Sequence, residues 1–250
     1  MAALSLLRRR GAALALPAAL GAVQAAPLLT FVPPLKPLWP RVNGAGRTDH
    51  VALTFDDGPD SASTPAFLDL LAERGVRATF FLLGTMAVRH PGLARRIVDE
   101  GHEVAVHSWD HRNHLRHLPG PATREQLERT VDLLEAQTGV RPRFFRPPYG
   151  ALTAADLVAA RQLGLQTVLW TAWGRDWEEQ ATPESVAALV GRDLRGGATV
   201  LLHDSDCTSS PLSWHATLGA VPLVLDACER LGLAVGTVGE HGLTPPPIAA

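Results

Sequence analysis

Between His50 and Val238 the chain alternates short β-forming runs with amphipathic helical runs, and this alternation restricts the architecture more than any other feature. Strand-like runs fall at 51–55, 77–83, 103–106, 144–145, 167–170, 199–202 and 233–238. Apolar residues at helical spacing occupy the intervals, at 64–74, 93–100, 123–137, 154–163, 183–194 and 218–231. The 64–74 run carries Phe67, Leu68, Leu70 and Leu71 and stops at Gly75. The 123–137 run carries Leu127, Val131 and Leu134, with Thr123 as its cap and Gly139 as its stop. Strands separated by helices pair in parallel. Strands this short and regular, seven in number, predict an α/β barrel rather than an open sheet.

The chemistry collects at the carboxyl ends of these strands. The first ends in Thr54-Phe55-Asp56-Asp57-Gly58-Pro59. In a continuing strand Asp56 and Asp57 would face opposite sides, one of them into a core. Adjacent carboxylates fit best where the strand ends and its last residues reach solvent, which is where parallel barrels keep their active sites. An Asp-rich turn after a strand is the plainer reading of this stretch taken alone. The third strand ends in His107-Ser108-Trp109-Asp110-His111, with His114 and His117 following. Histidines at i and i+4 share a face in a helix, although the two further histidines make chance clustering plausible. Joined by a carboxylate from another strand end, the pair makes a His2Asp site with open positions, the manner in which a catalytic zinc is held. The fourth strand ends in Arg146-Pro147-Pro148-Tyr149-Gly150; its guanidinium can hold a carboxylate ionised, or can be a structural arginine on a proline turn. The fifth delivers Trp170, Trp173, Asp176 and Trp177, aromatic faces suited to sugar rings, with Trp170 the one expected in the core. The sixth delivers His203-Asp204. Bland readings at five strand ends at once would be a strained coincidence.

Composition sets the outer bounds. The 250 residues are 46% hydrophobic and 19% charged, enough for a sizeable core in one large domain or two small ones. A net charge of −2 argues against a nucleic-acid partner and fits a neutral substrate. Lys36 is the only lysine, while Arg, Ala, Gly and Pro are abundant, the bias of a high-GC bacterial genome. Cys207 and Cys228 are too few for a disulfide framework and read as two unrelated thiols, or as a pair if the protein is exported. At the amino end, Arg8-Arg9-Arg10 precedes an uncharged, Ala- and Leu-rich stretch from Gly11 to Leu35. Three readings stand: a secretory signal cleaved after Val23-Gln24-Ala25, an uncleaved membrane anchor, or an apolar arm packed on a cytoplasmic domain. The Pro-rich 33–40 run reads as a stiff extended linker. Residues 1–40 are therefore expected to be a signal or anchor plus linker, and 49–240 the folded domain.

Taken in order, these motifs resemble those of the polysaccharide deacetylases of the NodB-homology type, carbohydrate esterase family 4. The resemblance runs from about Asp49 to Val238 through Thr54–Pro59, His107-Ser108-x-x-His111, Arg146–Gly150, Asp176-Trp177 and Leu201-Leu202-His203. It implies a distorted (β/α)7 barrel and a metal-dependent hydrolase that removes acetyl groups from N-acetylated glycans of the peptidoglycan or chitin type. It implies that Asp57, His107 and His111 bind one divalent cation, zinc or else cobalt. Asp56 would be the general base, oriented by Arg146; His203 the general acid, held charged by Asp176. The Tyr149 N–H would meet the oxyanion, and Trp177 and Leu201 would line the acetyl pocket. Two departures stand out. Trp173 occupies a position where the family often has aspartate, so it is expected to shape a substrate subsite. A polar loop, 204–210, replaces a glycine often found two residues after the histidine. Alternatives are an O-deacetylase of acetylated xylan and a non-catalytic glycan-binding protein. The expected setting is the envelope of a high-GC bacterium, as a monomer with membrane association through the amino-terminal segment.

Overall fold

The computed structural model describes residues 21–117 and 120–243. Eight parallel strands form one sheet: β1 His50–Asp56, β2 Thr79–Leu82, β3 Glu103–Val106, β4 Phe144–Phe145, β5 Gln166–Thr167, β6 Ala172–Trp173, β7 Thr199–His203 and β8 Ala234–Gly236. Their order is β5-β4-β3-β2-β1-β7-β6, with β8 also paired to β1. The two ends of that path are consecutive in the chain. Residues 168–171 run from β5, which pairs with β4, to β6, which pairs with β7. This curls the sheet into the distorted (β/α) barrel, with a seam at 168–171: of the predicted fifth strand, 167–170, only Thr167 pairs, in β5, and the next strand begins beyond it at Ala172. Helices α1 Thr64–Arg74, α2 Gly84–Arg89, α3 Leu93–Asp99, α4 His114–His117, α5 Pro121–Thr138, α6 Ala154–Gln162, α7 Pro183–Asp193 and α8 Trp214–Arg230 lie outside it or beside its mouth.

Period-two alternation sorts the strand residues. Val51, Leu53 and Phe55 of β1 join Phe67, Leu71, Phe80, Leu82 and Val200 in the core between sheet and helices. Ala52, Phe81, Ala105, Phe144 and Val168 fill the barrel interior with Val238 and Leu243. Asp56 therefore shares the inward face with Ala52, and Arg146 with Phe144. Most helix limits agree with the apolar spacing. α5 starts two residues before Thr123, with Pro121 in its first turn and Thr123 buried inside it. α8 begins at Trp214 rather than 218, and α2 was not visible as an amphipathic run because it is a single short turn-and-a-half. A capping box, Thr153 with Asp156, opens α6.

Ahead of the barrel, Ala26–Phe31 is a 3-10 helix, and Pro33–Leu38 is a second one where an extended linker is expected from the sequence. Proline's fixed φ suits both conformations. Here the Asn43 amide donates to the carbonyls of Lys36 and Trp39 and holds the compact form. Cys207 is exposed, Cys228 is buried in α8, and neither is bonded to the other. The basic cluster and the first part of the uncharged stretch, at residues 1–20, lie outside the described residues. Among the described residues no helix is long and apolar enough to cross a membrane.

Candidate active site

Asp56 ends β1 in register with His203 of β7 on one side and Phe81 of β2 on the other. Asp57 follows with φ 79°, in the left-handed region, so the chain turns and both carboxylates reach the barrel mouth. The turn is tight. A Cβ on Gly58 would lie 2.4 Å from Asp204 Oδ2, so only glycine fits there. Asp57 Oδ1 stands 3.4 Å from His107 Nε2 and 3.3 Å from His111 Nε2, buried and without a hydrogen-bond donor. Its other oxygen, Oδ2, accepts from the Thr208 hydroxyl at 2.5 Å. Burial pushes the Asp57 carboxyl up, but His111, His203, His107 and that hydroxyl outweigh it and leave it below its ordinary value. Burial holds His107 well below the usual imidazole range and lowers His111 as well. His107 Nδ1 lies 2.8 Å from the Arg146 carbonyl, which makes Nε2 the free lone pair. An ionised carboxylate with an orphaned buried oxygen and two neutral imidazoles are what a divalent cation of the zinc type requires.

Arg146 is fully buried under the site. It donates to Asp56 Oδ1 (2.6 Å), to the Thr54 hydroxyl (2.9 Å), and to the carbonyls of Val168 (3.1 Å) and Leu169 (3.0 Å), while its guanidinium lies 4.0 Å above the Phe81 ring. Burial pushes the Asp56 carboxyl up to about 6, against the pull of Arg146 and His203. Across the mouth, His203 Nδ1 is 3.0 Å from Asp176 Oδ1, and the His203 N–H donates to Asp176 Oδ2. Burial works against the imidazolium there, yet Asp176, helped by Asp57 and Asp56, raises it to about 10. With Nδ1 committed to Asp176, Nε2 is the atom left for a substrate.

All eleven residues singled out from the sequence lie at this end of the barrel, and nine of them line one cleft of about 240 Å³: Asp56, Asp57, His107, His111, Tyr149, Trp173, Trp177, Leu201 and His203. Arg146 and Asp176 stand behind it. Trp170, expected in the core, lines the cleft as well. Tyr149 takes a positive φ and is exposed, its ring 4.4 Å from that of His111. Other supports come from residues to which the motifs assign no role. Ser108, strained at φ 79°, has its hydroxyl 2.9 Å from His114 Nε2, and His114 Nδ1 is 2.6 Å from Asp156 of the α6 capping box. This buried Ser–His–Asp chain is closed to substrate and fixes the loop between His107 and His111. Thr217 of α8 donates to Asp176. Only the Thr153-x-x-Asp156 capping pattern was readable beforehand, and nothing in it points to the site.

A family model described as polysaccharide deacetylase matches residues 43–168, half of the chain. The chain belongs to the polysaccharide deacetylase family. It is 36% identical over 195 residues to a chitooligosaccharide deacetylase of Bradyrhizobium, covering 75% of this chain and 88% of that one. It is 38% identical over 178 residues to the peptidoglycan-N-acetylglucosamine deacetylase PgdA of Listeria monocytogenes, covering 68% of this chain but spanning only 36% of the Listeria protein. Among solved structures, a peptidoglycan N-acetylglucosamine deacetylase complexed with a hydroxamate-type benzamide superposes with a TM-score of 0.73 at 29% identity, over 80% of this chain and 91% of that one. The barrel of this family member accordingly follows the family architecture.

Proposed function

We propose that this polysaccharide deacetylase hydrolyses the N-acetyl group of N-acetylglucosamine units in peptidoglycan- or chitin-type glycans, with a divalent cation, zinc by preference, held by Asp57, His107 and His111. One observation carries the reading. Asp56 and His203, paired in register on adjacent strands, flank the three-ligand cradle, each fixed by its own buried partner. When bound, such a cation supplies Lewis acidity to water and to the acyl oxygen. Asp56, kept ionised by Arg146, takes the proton of the attacking water. The Tyr149 N–H faces the oxygen that gains charge as the carbonyl becomes tetrahedral. His203, charged against Asp176, gives its Nε2 proton to the departing sugar amine, and acetate leaves. Trp177 and Leu201 enclose the acetyl methyl, and Trp173, 40% exposed, offers its face to a sugar ring. The Arg8–Arg10 cluster and the apolar stretch behind it support export to the cell envelope, with or without retention at the membrane, and we take the protein to act as a monomer.

Acetate release from N-acetylglucosamine oligomers by the full chain tests this directly. The protein is stripped by chelation and reloaded with zinc or cobalt. Metal-dependent acetate that vanishes in an Asp57→Ala, His107→Ala double variant is expected. Release from acetylated xylan alone would move the substrate to an O-acetyl ester. Oligomer binding without stoichiometric metal would leave a glycan-binding protein.

Thr208 gives a second check. Its hydroxyl fixes Asp57 Oδ2 and so aims Oδ1 at the two imidazoles. Thr208→Val should weaken zinc binding by about 10-fold, the lower end for outer partners of a ligand. Competition against a chelating dye measures it, and unchanged affinity would remove Thr208 from that role.

A further inference from the structure

We propose that the amino-terminal arm, residues 26–46, is a working part of the site: Phe31 is a positioning residue that props Trp170 and thereby the aromatic wall on which the glycan rests. The proposal builds on the deacetylase reading and names a support for its substrate subsite.

The arm is tied to the barrel at its seam. The Leu169 N–H donates to the Val42 carbonyl at 2.7 Å, the Gly46 N–H to the Gly197 carbonyl at 3.1 Å, and the Thr199 hydroxyl to the Gly44 carbonyl at 2.6 Å. This places Phe31 edge-on to Trp170, with ring centroids 5.9 Å apart and planes at 61°. Gly150 sits in the angle between the two rings. A Cβ there would lie 2.7 Å from Phe31 Cζ and 2.7 Å from Trp170 Cη2, and its φ of +64° independently demands glycine. The arm and the Arg146–Gly150 turn are thus fitted to each other around Trp170.

Trp170 needs such a prop because it lies in the seam, between the end of β5 and the start of β6: Thr171 on one side is held by β7, its N–H donating to the Thr199 carbonyl at 3.0 Å, while Leu169 on the other is held by the arm and not by a strand. Its ring continues a row. Trp170 is 6.2 Å from Trp173, Trp173 is 5.2 Å from Trp177, and Trp177 is 5.5 Å from His203. One end of the row meets the proposed acid and the other end meets Phe31. A sugar stacked on this row would feel the loss of Phe31 as a loosened platform, while Asp56 and His203 would keep their partners.

The test uses the full chain with N-acetylglucosamine tetramer as the probe. Phe31→Ala should raise KM by about 3- to 10-fold, the range of one aromatic pair, with kcat and both limbs of the pH profile unchanged. Phe31→Tyr, which keeps the ring, should restore the parent KM. Tetramer affinity measured by tryptophan fluorescence in an Asp56→Asn background should weaken by the same factor, independently of turnover. Unchanged affinity and KM in Phe31→Ala, with the parent active, would overturn this inference alone. A fall in kcat at constant KM would also overturn it, since it would mean that the chemistry and not the platform had moved. A parent protein that neither binds nor deacetylates the tetramer would sink the functional reading, and the inference with it.

Discussion

Replacing Arg146 by Met is expected to lower the stability of the fold by about 3–5 kcal/mol, the cost of leaving one half of a buried ion pair alone, and to abolish acetate release. Asp56 is 2% exposed and Arg146 fully buried, so water cannot take over for the missing guanidinium. The variant also strips donors from the carbonyls of Val168 and Leu169 at the seam. For a domain of this size that loss corresponds to a fall in Tm of order 10 °C. Urea denaturation monitored by tryptophan fluorescence measures it, and the slope should stay near that of the parent. Adding Asp56→Leu to Arg146→Met should recover a large part of the stability while leaving the protein inactive, because two apolar groups then replace the pair. A loss below about 1 kcal/mol in the single variant, the scale of an exposed ion pair, would show that the buried pair contributes little to holding the barrel together.

Asp56→Asn separates chemistry from stability. The amide keeps the size of the side chain and can still accept from Arg146. Turnover should fall by at least about 10²-fold, the usual size of a general-base contribution, while zinc remains bound to Asp57, His107 and His111. The pH profile of kcat/KM gives the sign. In the proposed mechanism Asp56 works deprotonated, and its carboxyl is raised to about 6, so activity should fall as pH drops through that region. His203 must be protonated, and it is raised to about 10, so activity falls again as pH rises toward that value. A cation in the cradle favours the carboxylate and disfavours the imidazolium, which draws both limbs toward lower pH. In Asp56→Asn the acid limb should disappear and the alkaline limb remain. Near-normal turnover in this variant would take the base role away from Asp56.

Much of this arrangement could be read from residue order. The inward face of β1 follows from alternation, which aligns Asp56 with Ala52; the same rule puts His203 inward beside Leu201, and Arg146 beside Phe144. The 64–74 helix was legible because its apolar spacing and Gly75 agree. What escaped depends on partners distant in sequence. Thr167, Val168 and Trp170 favour a strand over 167–170; the strand stops at Thr167 because pairing with β4 ends there, and the chain crosses through 168–171 before pairing with β7 at Ala172–Trp173. The 3-10 turn at Pro33–Leu38 is held by the Asn43 amide, and proline content alone does not distinguish it from an extended run. The Ser108–His114–Asp156 chain links residues 42 positions apart across α4 and α6, and His114 looked like one of several incidental histidines. Thr208 and Thr217 reach the site from a loop and a helix whose residue types are ordinary.

The apolar filling beneath the site has an electrical consequence. Ala52, Phe81, Ala105, Phe144 and Val168 make the lower barrel a medium of low permittivity, closed to water. Charges seated on such a floor have their field squeezed outward through the wet mouth instead of being damped below. Asp56, Asp57 and Asp176 as carboxylates, the Arg146 guanidinium and the His203 imidazolium sum to minus one around the cradle, and the buried Asp204 carboxyl behind Gly58, raised to about 7, adds to this when ionised, which draws cations from solution toward the site. The divalent cation proposed for the cradle would offset this negative charge. With that ion bound, the same opening would present an attractive potential to whatever negative charge develops at its lip.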